Sequence, residues 1–409
     1  MTATAHPADT PSDAGAPARW ALLALAIGAF AIGTTEFSPM GLLPIIAEGV
    51  HVSIPQAGLL VSAYAIGVMI GAPIMTIAFS RFGKRTALML LMGIFTVGNV
   101  MSALAPDYGM LLLSRLVTSL NHGAFFGLGS IVAAGLVAKE KRAGAVAAMF
   151  MGLTIANIGG VPAATWIGQQ IGWRAAFAGT AVLGLVAISA LAMALPKSRP
   201  GPRPELRREI GVLTRPNVLL AMATTVMGSA AMFTLYTYVA AALDALTGAS
   251  GGFVTFALVL IGVGFTVGNW FGGRLSAWSL DGATAVFLAA LAAIMLGLPV
   301  LLVSHVGAAV GLLVWGAAAF AIVSPIQTRV MLAAEDAPAL ASSINVGAFN
   351  LGNAIGAAVG GAVIAAGLGY QMVPVAGAVL ALLSLLLVWA SRRSNRMLAA
   401  RLPAAVGCR

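Results

Sequence analysis

Twelve long apolar runs, interrupted by short polar breaks, make up most of the chain: about 20–44, 55–79, 86–105, 109–136, 143–171, 175–196, 217–243, 252–273, 282–303, 306–330, 341–366 and 371–391. Roughly 20 apolar residues in a helix cross the hydrocarbon of a bilayer. Each run therefore predicts a transmembrane helix, and the expected fold is an all-α membrane protein. The breaks alternate in character. One set is short and nearly uncharged, as at Pro106-Asp107-Tyr108. The other set, together with the tails, carries 20 of the 22 Lys and Arg residues. Arg81, Lys84 and Arg85 follow the second run, Lys139, Lys141 and Arg142 the fourth, and Lys197 to Arg215 the sixth. The exceptions are Arg115, inside the fourth run, and Arg174, on the opposite side. Basic loops remain cytoplasmic, which predicts a multi-pass protein with both termini inside.

The longest break, Pro196 to Pro216, is rich in Pro, Arg and Lys and divides the runs six and six. The expected organisation is a disordered cytoplasmic tail over 1–18 and an N-terminal six-helix bundle over 19–196. A central cytoplasmic loop over 197–216, a C-terminal bundle over 217–391 and a cytoplasmic tail over 392–409 follow. The halves look duplicated. Ile155-Ala-Asn157-Ile-Gly-Gly160 resembles Leu351-Gly-Asn353-Ala-Ile-Gly356, and Ile171-Gly-Trp173 resembles Leu368-Gly-Tyr370, at offsets of 196 and 197. Parallel six-helix halves with a site between them are one architecture of secondary transporters.

Composition narrows the class. At 60% hydrophobic and 8% charged residues, the chain has too little polar surface for a soluble protein of its length. The net charge of +10 then describes an inner membrane face, and nucleic acid is not an expected partner. The 49 glycines suit helices that must pack closely where lipid supplies no hydrophobic drive between them. The single cysteine, Cys408, offers no disulfide, haem or cysteine–metal framework, so no metal and no cofactor are expected. The chain start lacks a basic segment and short apolar core before a cleavage-type site, so the first run is read as a retained anchor. A monomer is expected.

Ionisable groups in the hydrocarbon are expensive and point to function. Three fall well inside the runs: Glu36, Arg115 and His122. Taking Pro44 as the outer end of the first run, Glu36 lies about 12 Å down; Arg115, counted from Tyr108, lies roughly 10 Å down. His122 follows Arg115 by seven residues and shares its helix face. One reading is a cavity-facing acid whose protonation drives a cycle, with Arg115 tuning its proton affinity. The other is a structural Glu–Arg pair holding two helices together. For His122 a hydrogen-bonded packing role competes with a proton relay.

The fifth run contains Gly152, Asn157, Gly159, Gly160 and Pro162. Proline removes a backbone donor and kinks a helix, while glycines permit close contact with a neighbour. Neutral candidates for a cavity are Asn121, Tyr236, Tyr238, Asn269, Trp270, Gln327, Asn345, Asn350 and Asn353. Tyr and Trp at run ends also serve as interfacial anchors, and mid-run Asn and Gln also bond neighbouring helices.

These residues carry a family resemblance. Gly33-Thr-Thr-Glu36-Phe37 running into Gly41-Leu-Leu-Pro44, Asn121-His122-Gly123-Ala-Phe-Phe-Gly127, the Asn157–Pro162 stretch and Asn345-Val-Gly-Ala-Phe-Asn350-Leu-Gly-Asn353 look like the major facilitator superfamily. Within it they are most similar to the twelve-span drug:proton antiporters of the arabinose-efflux-like group, over about residues 19–391. The resemblance implies two six-helix bundles, alternating access, a cavity lined by spans one, four, seven and ten, and residence in a bacterial inner membrane. The family's loop motif maps onto Arg81, Gly83, Lys84 and Arg85, with Ser80 at its Asp position and Thr76 at its leading Gly. Its span-four arginine matches Arg115, and its span-five antiporter motif matches Gly152, Gly160 and Pro162 in part.

The expectation is proton-coupled efflux of a small amphipathic solute, such as a drug-like compound, sugar or nucleoside. Proton symport and facilitated diffusion are the rival transport modes. A membrane-embedded enzyme would want paired acids, a metal cluster or a nucleophile with its base, and Glu36 stands without a second acid. No glycine-rich loop with Lys-Ser/Thr for binding nucleotide phosphates is present.

Overall fold

The computed structural model describes residues 16–197, 215–334 and 338–401. Most of the expected boundary loop and terminal tails lies outside the described residues. Among them, twelve helices are long and apolar enough to cross a membrane: Ala18–Gly49, Ile54–Phe79, Lys84–Ala103, Tyr108–Gly135, Lys139–Gln170, Trp173–Ala194, Pro216–Tyr236, Gly251–Ala277, Leu280–Leu301, His305–Ala333, Ile344–Ala365 and Met372–Arg393. They are called spans one to twelve in this order.

The polar breaks set the helix ends. At the uncharged side, Ser53, Asp107, Ser250 and Ser304 each accept an amide hydrogen in the first turn of spans two, four, eight and ten. Such a side-chain oxygen satisfies a donor the helix itself cannot. Ser53 and Gln56 form a reciprocal capping box. Arg174, the one cation on this side, donates from Nε and Nη2 to the carbonyl of Ala105 (3.3 and 2.8 Å) and stacks over Trp173. It closes the end of span three, a local use that explains its departure from the charge pattern.

Two differences from the sequence reading matter. Pro44 does not end span one: the helix runs on to Gly49 with Pro39 and Pro44 inside it. In a membrane helix, neighbouring helices resatisfy the groups that proline frees. Spans four, seven and ten, expected as continuous helices, are each interrupted, at Leu120–Asn121, Thr237–Tyr238 and Ile322.

The helices form two six-helix bundles whose pairing repeats. Span one packs on five and six, three on six, and two on four; seven packs on eleven and twelve, nine on twelve, and eight on ten. Gly160 of span five faces Thr34 and Phe30 of span one so closely that a Cβ would overlap them. Gly356 of span eleven meets Ala230 and Phe233 of span seven in the same way. The offset is 196 between the two glycines and between Thr34 and Ala230, which they face (356 − 160 and 230 − 34), so the internal repeat is structural.

Between the halves, span two lies on span eleven and span eight on span five. Ser62 donates to the carbonyl of Ala354 (3.1 Å) and Thr255 to Gln169 Oε1 (3.2 Å). The hydroxyl of Tyr238 occupies the space a Cβ on Gly58 would need. These contacts fall in the halves of the spans nearer the uncharged side, so the protein is closed on that side.

Candidate functional site

Glu36 is buried, with its residue 8% exposed. The extension of span one to Gly49 leaves thirteen residues beyond it, about 20 Å of helix. It therefore lies deeper than the 12 Å read from Pro44. A carboxyl in such surroundings needs partners. His122 Nδ1 lies 3.8 Å from Glu36 Oε2, and the same nitrogen is 3.1 Å from the Tyr64 hydroxyl. His122 starts the second helix of span four, just past the break, and Tyr64 comes from span two.

His122 Nδ1 can play either hydrogen-bonding role in this cluster. With Nδ1 bare, it accepts the Tyr64 O–H. With Nδ1 protonated, it donates toward Tyr64 or, after a small shift, Glu36. The residues next to Glu36 face different ways. Thr35 ties span one into the N-terminal half: its hydroxyl donates to Asn99 Oδ1 (2.5 Å), which also accepts from Thr180 (2.9 Å). Phe37 packs across the boundary on Phe233 and Tyr236 of span seven, with ring centroids 6.2 and 5.8 Å away.

Arg115 is brought to this site without forming the direct pair with Glu36 considered from depth alone. Its Nη2 donates to the Thr35 carbonyl (3.1 Å), and its guanidinium lies 4.3 Å from the Tyr64 ring centroid. Nε and Nη1 are buried without a hydrogen-bond partner. Equal depth on two helices does not fix which way each side chain turns. The guanidinium instead bridges the backbone beside Glu36 to the ring that bonds His122.

The neutral candidates separate. Tyr236 joins Phe37, Phe233, Phe265 and Trp315 in an aromatic cluster next to Glu36. Asn121 sits in the span-four break and donates to the Thr118 carbonyl. Asn157 donates to the Leu153 carbonyl (3.0 Å), and Asn350 to that of Val346 (2.9 Å). The side-chain oxygens of all three asparagines are buried and unpartnered. Gln327 binds Ser342 (2.6 Å) and Asn345 (2.7 Å), tying span ten to span eleven. Tyr238 is spent on closure: its hydroxyl donates to the Ala357 carbonyl (2.7 Å).

In span five, residues Ala156–Gly160 form a π-helical turn, and Pro162 opens the next helix. The wider turn, in which the Val161 amide reaches back to the Ala156 carbonyl, accommodates the missing proline donor. A Cβ on Gly152 would overlap the Ala26 carbonyl of span one. In the loop after span two, Arg81 is exposed beside Phe82, Gly83 precedes the helix that Lys84 begins, and Arg85 donates to the Ala192 carbonyl of span six. Arg85 thus fastens two helices of one half.

Sequence reasoning missed Tyr64. The available signal was a tyrosine nine residues inside a span, too deep for an interfacial anchor. It also treated Arg329 as a loop cation. Arg329 is buried and pairs with Asp281.

Two six-helix halves with the same internal pairing, holding a buried acid where they meet, define a membrane transporter built from parallel repeats. The chain belongs to the Major Facilitator Superfamily, which matches residues 25–340. It is 62% identical over 374 residues to the inner membrane transport protein YdhP of Escherichia coli (strain K12), covering 91% of this chain and 96% of that one. It is 33% identical over 343 residues to the chloramphenicol resistance protein of Streptomyces lividans, with 82% and 86% covered. In fold it is similar to the bacterial homologue of the human lysosomal transporter Spinster, solved inward-facing and unoccupied: TM-score 0.75 at 16% identity, over 93% of this chain and 98% of that one. The chain is thus a multi-pass inner-membrane transporter.

Proposed function

We propose that this transporter exports small amphipathic solutes in exchange for protons, acting as a monomer, with Glu36 as the proton carrier. The carrying observation is the Glu36–His122–Tyr64 cluster at the boundary between the halves. Exchange requires proton and solute to compete for one site. A carboxyl that keeps its proton while the cavity is empty and yields it when solute enters meets that requirement. The adjoining aromatic cluster around Tyr236 and Trp315 supplies an apolar surface for the solute, and similarity to a protein named for chloramphenicol resistance supports drug-like cargo.

The test uses inverted vesicles acidified inside by respiration, challenged with a solute panel that includes chloramphenicol. Under exchange, an exported solute discharges the pH gradient in vesicles holding the protein and not in vesicles from deletion cells. A solute that enters the vesicles without discharging the gradient, or deepens it, overturns exchange in favour of facilitated diffusion or symport.

A further inference from the structure

The ends of spans seven, nine, ten and twelve meet at the basic side of the C-terminal half and line an open cavity of about 530 Å³. Among the described residues, Asn217, Ser279, Asp281, Arg329 and Ser391 are its polar lining. The volume falls within the range of small-ligand sites, and the site is remote in sequence and in span position from the Glu36 cluster.

Among the described residues, charge around this cavity is unbalanced. Asp281 takes Arg329 Nη1 on one oxygen and stands 3.5 Å from Arg392 Nε with the other. Among the described residues, one carboxylate answers two guanidinium groups, Arg329 in the lining and Arg392 beside it, which leaves a positive excess there. Arg329 is 8% exposed, and its Nε has no hydrogen-bond partner; nor has Nε of Arg392. Ser279 Oγ already accepts the amide of Gly282 (3.2 Å), so its own hydrogen remains to be donated. Unspent donors around a positive centre call for a ligand that is anionic and rich in acceptor oxygens. The planar guanidinium fork suits a phosphate group, and basic pockets between helix ends on the cytoplasmic side are placed to meet lipid headgroups.

We propose that this cavity binds a phosphate group, carried by a phospholipid of the cytoplasmic leaflet or by a soluble phosphate. The purified full chain, stripped of lipid in detergent, is titrated with inorganic phosphate and separately with short-chain phosphatidylglycerol. Diacylglycerol of the same chain length serves as the phosphate-free control, and binding is read by thermal shift and native mass spectrometry. Arg329→Lys keeps the charge and loses the fork; Ser391→Leu narrows the cavity and leaves both arginines. The expected result is saturable binding of a phosphate-bearing ligand by the wild type, weakened tenfold or more in each variant. Binding of phosphatidylglycerol with inorganic phosphate inert assigns the lipid as source; binding of both assigns the phosphate group itself. If one variant does not fold, the other decides. Failure of the wild type to bind either ligand overturns the proposal, as does wild-type binding by the folded variants.

Discussion

Replacing Glu36 by Gln tests the coupling proposal at its centre. Glutamine has nearly the volume of glutamic acid, so the contacts of span one with Tyr64, His122 and the C-terminal half are kept. Only the exchangeable proton goes. Glu36 is the one carboxyl of the described spans that stands away from a span end, so the coupling proposal carries one proton per cycle. At zero membrane potential, one proton per solute converts each pH unit into about a tenfold solute ratio, equal to about 1.4 kcal/mol. Proteoliposomes with a one-unit gradient should therefore accumulate solute about tenfold with wild-type protein and to no more than equilibrium with Glu36→Gln. Solute–solute counterflow at equal pH should survive, because it needs alternation without proton exchange. A wild-type ratio near a hundredfold would bring in a second carrier, and His122 is the group beside Glu36. A tenfold pH-driven ratio in Glu36→Gln would refute the assignment and make Glu36 structural.

Three further outcomes follow from the packing. Gly160→Leu must push Thr34 and Phe30 aside at a cost of about 1–3 kcal/mol, and Pro162→Leu removes the reason for the π turn; both should lower uptake by proteoliposomes several-fold while membrane insertion is kept, and unchanged uptake in both returns the motif to ordinary packing. Tyr238→Phe loses the bond to the Ala357 carbonyl, about 1 kcal/mol or about fivefold in the closed-to-open ratio. In a Cys408→Ser background, Ala57→Cys should then react faster with an impermeant thiol reagent from outside, and equal rates would place the closure elsewhere. Arg174→Gln should lower the melting temperature by a few degrees through loss of the bonds to Ala105, about 1 kcal/mol, with uptake kept; an unchanged melting temperature counts against the cap.

The twelve spans were legible because apolar run length alone decides whether a helix crosses a bilayer, and the charge asymmetry gave the loops their sides. The repeat was legible because small residues at Gly160 and Gly356 are demanded by the same close approach in both halves. What escaped depended on which way a side chain turns about its helix. Glu36 and Arg115 could be placed at comparable depth, yet the guanidinium faces the Thr35 carbonyl. Tyr64 and His122 are 58 positions apart, and no local pattern links them. Tyr238 read as a cavity residue, but a break at Thr237–Tyr238 turns it into the closure. Arg329 read as one more cation of the basic side, and only the meeting of spans nine and ten pairs it with Asp281.

The surroundings of Glu36 suggest how motion of the halves reaches its proton. Thr35, one residue before it, is held through its hydroxyl to Asn99 and through its carbonyl to Arg115, so the backbone at this point moves with spans three and four. Phe37, one residue after it, rests on Phe233 and Tyr236, groups that belong to the other half. If the halves rock apart on the uncharged side, Glu36 stays with the first half while the aromatic cover is drawn away by the second. The carboxyl then meets water from outside, where in the closed arrangement it is 8% exposed. Its partners His122 and Tyr64 do not change, since both belong to the first half. Access to the proton, more than the identity of its neighbours, is then what differs between the two arrangements, and this is the difference an exchanger needs in order to load and unload on opposite sides.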